Sequence, residues 1–242
     1  MINLRSLFGT LSFAALVFNS CSPIYIPNTR NTPLFREQGE AQISGYLTSG
    51  GLDAQAAYAL TDHVAVVGSY SYGNVKRTTQ DGIEYNRKNS YGELGVGYFD
   101  RSRSTRWEVL AGYGAGQGTS YDQYYFFGTK TVVATGKMSR FFIQPSIGTN
   151  NRDFNFTFTP RFTWVDFSEF TSNGTTVKPN EKAQFFLEPA ITGKWRITGN
   201  IHAIVQVGLT VGIPSEVFFD FQPMQAAAGI QIDTGGLKTR VY

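Results

Sequence analysis

The sequence predicts an all-β chain, an antiparallel up-and-down transmembrane β-barrel of about ten strands, with eight as the alternative count. Three observations predict it. Alternation of period two recurs along the chain and is plainest in Phe154–Trp164, where Phe154, Phe156, Phe158, Pro160, Phe162 and Trp164 share one face. Asn155, Thr157, Thr159, Arg161 and Thr163 share the other. The connections between such stretches alternate between short and long. Trp107, Trp164 and Trp195 stand at strand ends, where an aromatic girdle marks the lipid headgroup level.

The chain of 242 residues is 41% hydrophobic and 16% charged, which suits a single large barrel. Its formal net charge of +3 is too weak and too dispersed for a nucleic-acid partner. No run of about 18 apolar residues is present, so a helical membrane span is excluded.

Residues 1–20 read as a signal peptide. Arg5 supplies the positive region, and Leu7–Phe18 is an apolar stretch shorter than a membrane span. Cys21 follows directly and is the chain's one cysteine, so it has no internal disulfide partner. The arrangement Val17-Phe18-Asn19-Ser20-Cys21 resembles the lipobox of bacterial lipoproteins, with Phe18 where leucine is usual and a small residue at Ser20. That resemblance implies cleavage before Cys21 and lipid attachment at Cys21. Residues 21–39 carry Pro23, Pro27 and Pro33 and no clean alternation, and are expected to be an extended lipidated tether. Ile24, Tyr25, Ile26 and Phe35 make part of it apolar enough to dock on the barrel domain, residues 40–242.

Strand one is expected over Glu40–Ser49, with Ala41, Ile43, Gly45 and Leu47 on one face. Strand two follows Gly50-Gly51, with Leu52, Ala54, Ala56, Tyr58 and Leu60. Thr61-Asp62 turns the chain into strand three, His63–Gly73, and the polar residues 74–89 are expected to be a long loop. Strand four (Ser90–Asp100) and strand five (Trp107–Gly116) flank the basic turn RSRSTR; a second long loop is expected over 118–136. Strand six is Lys137–Thr149, and Asn150-Asn151-Arg152 turns into the Phe154 strand, the seventh. A third loop is expected over 167–182. Strand eight shows Phe185, Leu187, Pro189 and Ile191 on one face. Strand nine, with Ile201, Ala203, Val205, Val207 and Leu209, alternates most cleanly. Strand ten, Val217–Ile232, changes phase near Pro223. Four prolines (Pro145, Pro160, Pro189 and Pro223) fall inside these strands after a polar residue, and each is expected to mark a bulge or bend.

Connections after strands two, four, six and eight are short, and those after three, five and seven are long. Outer-membrane barrels show this asymmetry, with short turns on the periplasmic side. Taken together, signal, cysteine, proline-rich stretch and alternating strands resemble a small lipidated outer-membrane β-barrel protein of OmpA-like or related architecture. The resemblance implies location and fold rather than activity. It places the chain in the outer membrane of a Gram-negative bacterium, lipid-anchored through Cys21, with both barrel ends periplasmic. The inner leaflet is then the simplest destination for the lipid.

An even barrel with an aromatic outer face turns Glu93, Glu108, Arg140, Arg161 and Glu188 inward, with Gln144, Gln184 and Gln206. Buried charges of both signs must pair, so a charge network plugging the lumen is expected, with Arg161 on Glu188. The alternative is a narrow channel for small polar solutes, with inward glycines such as Gly95, Gly112 and Gly114 leaving room. Catalysis ranks third. His63 and His202 are the two histidines, both near the short-turn end, and His202 with an inward carboxylate is the pair a periplasm-facing enzyme would use. No metal-ligand spacing is present and no cofactor is implied. The expected partners are outer-membrane lipid and another outer-membrane protein, met through the long loops. The leading functional expectation is a non-enzymatic structural or accessory role in an outer-membrane assembly.

Overall fold

A computed structural model describes residues 23–78, 84–125, 129–151, 153–176, 183–213, 217 and 219–235. The expected signal peptide, Cys21 and the tail to Tyr242 lie outside the described residues. The chain is all-β and forms one closed antiparallel barrel of ten staves. The first six are β1 (Ala41–Thr48), β2 (Gly51–Ala59), β3 (Val64–Thr78), β4 (Glu84–Arg101), β5 (Thr105–Tyr125) and β6 (Thr129–Thr149). The seventh is built from β7 (Phe154–Thr159) and β8 (Phe162–Ser172), with β9 (Thr175–Thr176) folded back on its end. The eighth is β10 (Gln184–Leu187) with β11 (Ala190–Thr198), the ninth β12 (Ile201–Leu209) with β13 (Val211–Ile213), and the tenth β14 (Met224–Thr234). The first and last staves pair antiparallel, Ala41 opposite Thr234 through Thr48 opposite Ala227, which an even count permits and which leaves no free edge.

Alternation decides which face meets what. Leu47, Leu94, Tyr113, Phe158, Val207 and Ile230 all point outward and are exposed, Leu94 at 75%. Their neighbours Tyr46, Glu93, Gly114, Thr159, Gln206 and Gln231 turn inward and are buried. A continuous apolar outer face around a polar packed interior is the arrangement of a membrane-spanning barrel. Trp107 and Trp195 face outward near the short-turn end, packed on Tyr98 and Phe154. Trp164 is half-buried ten positions beyond Phe154 along the seventh stave, against Phe141 and Phe185.

Two of the expected long loops are strand. β3 runs on to Thr78 and β4 begins at Glu84, while β5 and β6 pair without interruption from Thr105–Thr149 up to Tyr125–Thr129. At 21 residues each, β5 and β6 are about twice the length a membrane crossing requires. The third stretch, 167–182, is strand as far as Ser172. The polarity of residues 74–89 hid the first of these extensions from a period-two reading.

The prolines obey one rule. Ile143 pairs with Phe162 and Ile147 with Phe158, so the register sets Pro145 opposite Pro160. Leu187 pairs with Phe162 and Ala190 with Thr159, setting Pro160 opposite Pro189. Leu209 pairs with Met224, which places Pro223 beside Thr210, where the ninth stave is interrupted. Pro145, Pro160 and Pro189 therefore face one another across three adjoining staves, each lacking an amide donor where its neighbour lacks one too, and Pro223 continues the belt beside Thr210, whose amide donates to its carbonyl. Staves seven, eight and nine break there. Pro145 itself lies within an unbroken β6, and Pro223 lies just before β14, which begins at Met224 rather than Val217.

Candidate functional site: a threaded lumen

The stretch expected as an extended tether lies inside the barrel. Residues 23–35 are buried without exception and run through the barrel from the long-loop mouth to the short-turn mouth. Thirteen extended residues cover about 40 Å, more than the apolar band of a barrel, roughly 25 Å. At the long-loop mouth the Ile24 and Tyr25 amides donate to the Asp220 carbonyl, and the Gln222 amide donates to the Tyr25 carbonyl at 3.0 Å. At the other mouth the Leu34 amide donates to Glu108 Oε2 at 2.8 Å, and Arg106 Nη1 donates to the Leu34 carbonyl at 2.6 Å.

An extended segment inside a barrel has no ladder of its own, and every unpaired buried carbonyl is costly. Here the wall supplies the partners. Eight consecutive carbonyls, Pro27 to Leu34, each accept a side-chain N–H: in order from Gln225, Arg30, Gln55, Gln206, Gln144, Lys194, Gln42 and Arg106. Seven of those donors are wall residues and five are glutamines. Pro23, Pro27 and Pro33 have no amide hydrogen, which removes three donors the lumen would otherwise have to satisfy.

The charged residues close the middle of the lumen around Asn28–Arg30. Glu93 receives Arg140 at 2.6 Å, Arg161 at 3.3 Å and the Asn28 amide nitrogen at 2.9 Å. Asn28 Oδ1 in turn accepts from both arginines. Arg140 lies over the Tyr91 ring at 3.9 Å and Arg161 over Phe142 at 4.4 Å. Glu188 takes the Tyr25 hydroxyl at 2.5 Å, Thr163 at 3.1 Å and Arg30 at 3.7 Å. The Arg30 backbone is held from both sides by Gln206: the amide donates to its Oε1 at 2.7 Å and the carbonyl accepts from its Nε2 at 3.0 Å.

Two sequence expectations need correction. Arg161 pairs with Glu93 and Gln144, not with the Glu188 carboxylate, because the thread occupies Glu188. Glu108 belongs to a separate group at the short-turn mouth. The inward glycines Gly112 and Gly118 are closely packed rather than open. A Cβ on Gly112 would come within 2.4 Å of the Leu94 carbonyl and 2.5 Å of the Phe142 ring. On Gly118 it would meet the Ile24 carbonyl. These glycines make room for rings, guanidiniums and the thread.

At the long-loop mouth Ile24 and Tyr25 sit in a collar of Met138, Val165, Phe167, Phe170, Phe186 and Phe219, with Phe167 and Phe219 ring centroids 4.6 Å apart. At the short-turn mouth a polar vestibule of about 250 Å³ is lined by Arg36, Glu40, Arg106, Lys194, Arg196, His202 and Asp233 among others. Burial pushes the Glu40 carboxyl up, opposed by the amide of Arg36, which donates to it at 2.7 Å. His202 Nδ1 lies 3.5 Å from Asp233 Oδ2 there, and His63 stacks on Tyr98 at the neighbouring turn. Among the described residues no group of three or more His, Cys, Asp or Glu side chains is arranged to hold a metal ion.

No family model matches the chain, and no curated protein matches it. Among solved structures it is similar to the translocator domain of the autotransporter NalP from Neisseria meningitidis, at 7% identity and a TM-score of 0.49, over 96% of this chain and 95% of that one. It is also similar to the KdgM porin, at 7% identity and a TM-score of 0.38, over 81% and 99%. A third similarity is to OmpT of Vibrio cholerae, an outer membrane protein, at 8% identity and a TM-score of 0.24, over 81% and 98%. At these identities and scores the similarities carry no functional weight.

Proposed function

We propose that this chain is a non-enzymatic outer-membrane barrel lipoprotein of a Gram-negative bacterium, with lipid on Cys21, sealed by its own N-terminal segment and acting as a structural or accessory component of an outer-membrane assembly. The observation that carries the reading is the run of eight carbonyls met by side-chain donors. A lumen so fitted to one extended backbone is occupied permanently rather than gated. The partnering surface is the pair of tall hairpins formed by β3 to β6, whose upper halves stand clear of the membrane and are the natural place for another protein to bind.

The channel reading makes the opposite electrical prediction. In planar bilayers the intact protein is expected to give no stable conductance steps, and a variant lacking residues 23–35 but keeping Cys21-Ser22 is expected to give them. Steady conductance from the intact protein sinks the sealed-barrel reading. Mild-detergent purification followed by mass spectrometry tests the accessory role, which requires a stoichiometric outer-membrane partner.

A further inference from the structure

We infer that the chain delivers its N-terminus to the long-loop face, so that Cys21 and whatever lipid it carries lie on the opposite side of the membrane from both ends of the barrel wall. This rests on the reading of Cys21 as lipid-bearing for the identity of the cargo, but not for the direction of the thread.

The direction is set at both mouths. At Leu34 the thread is fixed to Glu108 and Arg106, close to the turn 102–104, and six residues after Phe35 the chain enters β1 at Ala41. β14 ends at the same mouth, at Thr234. At the other end Ile24 and Tyr25 are bonded to Asp220, in the segment joining β13 to β14 at the long-loop mouth, and Tyr25 pairs as a parallel bridge with Phe221. Ile26 reaches the turn between β1 and β2, beside Gly50. The backbone cannot slide by one residue without leaving wall amides unpaired, since each of Gln55, Gln206, Gln144, Gln42 and Gln225 addresses a different carbonyl.

Reach then decides the side. Only two residue steps, about 7 Å of chain, separate Cys21 from Pro23, which is already at the long-loop end. Return to the short-turn face would require about 25 Å or more. Acyl chains on Cys21 then belong to the leaflet on the long-loop side, in place of the inner leaflet that the sequence led us to expect. The ligand surface this assigns is the outer, cell-surface leaflet, met by a lipid anchor whose connecting segment runs inside the barrel instead of around it.

The test uses the full chain made with its own signal in a Gram-negative host. Ser22→Cys places a free thiol beside the anchor, Thr175→Cys marks the long-loop side, and Ser104→Cys marks a short turn. A membrane-impermeant maleimide should label Ser22→Cys in intact cells to the same extent as Thr175→Cys, and Ser104→Cys only after the outer membrane is permeabilised. A short epitope inserted between Ser22 and Pro23 gives a second readout, by antibody binding to intact cells. If both Ser22→Cys and the epitope become accessible only after permeabilisation, the inference is overturned. Radiolabelled palmitate incorporation, lost in Cys21→Ala, reports acylation separately. Surface labelling without palmitate keeps the direction and removes the lipid, whereas palmitate with periplasmic labelling does the reverse.

Discussion

Arg161 and Glu188 exchange backbone hydrogen bonds across the wall, 2.7 Å from the Glu188 amide and 3.3 Å from the Arg161 amide, while their side chains serve different partners. Arg161 turns to Glu93 and Gln144; Glu188 turns to Tyr25 and Arg30 of the thread. The wall is thus tied across its proline belt by backbone, and its charges are left to hold the segment inside.

Glu93 is the carboxylate that two guanidiniums share. Glu93→Ala leaves Arg140 and Arg161 buried with too little negative charge, and is expected to destabilise the barrel by about 3–5 kcal/mol. The exposed pair Lys137–Glu169, at 2.9 Å, provides the contrast. Lys137→Ala is expected to cost no more than about 1 kcal/mol. Denaturant titration in detergent, read by the gel-mobility difference between folded and unfolded forms, checks both. Equal midpoint shifts for the two variants would refute the assignment.

Gln206 clamps Arg30 from both sides. Gln206→Ala is expected to cost about 1–3 kcal/mol by leaving the Arg30 amide and carbonyl unmet. Hydrogen exchange at the Arg30 amide should accelerate while that of β12 amides stays slow. Unchanged exchange at Arg30 would show that the thread is not held there.

Gly112 faces the interior and Gly45 the lipid. Gly112→Ala should destabilise by about 1–3 kcal/mol through overpacking. Adding Phe142→Ala should not restore stability, because the Leu94 carbonyl would still obstruct the new methyl. Gly45→Ala, which meets nothing within 4 Å, should be close to neutral. Thermal unfolding of the three variants in one detergent decides the matter.

Tyr25 bridges two charges: its hydroxyl donates to Glu188 and accepts from Arg140 Nη1 at 3.1 Å. Tyr25→Phe keeps the ring in its aromatic collar but removes that bridge, at a cost of about 1–3 kcal/mol. Limited proteolysis should then cut near residues 23–26 while the wall resists. A wild-type digestion pattern would place the hold on this end in the collar alone.

Much of this was legible before the structure. The Phe154–Trp164 alternation and the inward set Glu93, Arg140 and Glu188 follow from period two, whereas two of the expected long loops are strand. The thread was not, because residues 23–35 are recognised through their carbonyls, and a backbone leaves no pattern in its own side chains. The signal lay in the wall. Gln42, Gln55, Gln144, Gln206 and Gln225 are inward amides on five different staves, and amides in that position suit a main-chain guest better than an ion network. Arg30, fully buried, could not have been assigned from a stretch without periodicity. The side-chain choice of Arg161 depended on that unseen guest.

The seam between β1 and β14 acquires a further meaning from the segment it encloses. A ring closed around its own tail is a lasso, and the acyl group proposed for Cys21 would be a stopper wider than the packed lumen. Such an interlocked molecule cannot be made by pushing the stopper through a finished ring. The tail has to be laid down first, and the ring drawn shut over it when Ala41 meets Thr234. Synthesis runs in the same order, since residues 23–35 emerge before β1 and β14 emerges last of the staves. Once shut, the tail is retained mechanically as well as by its hydrogen bonds, and its release requires the seam to open.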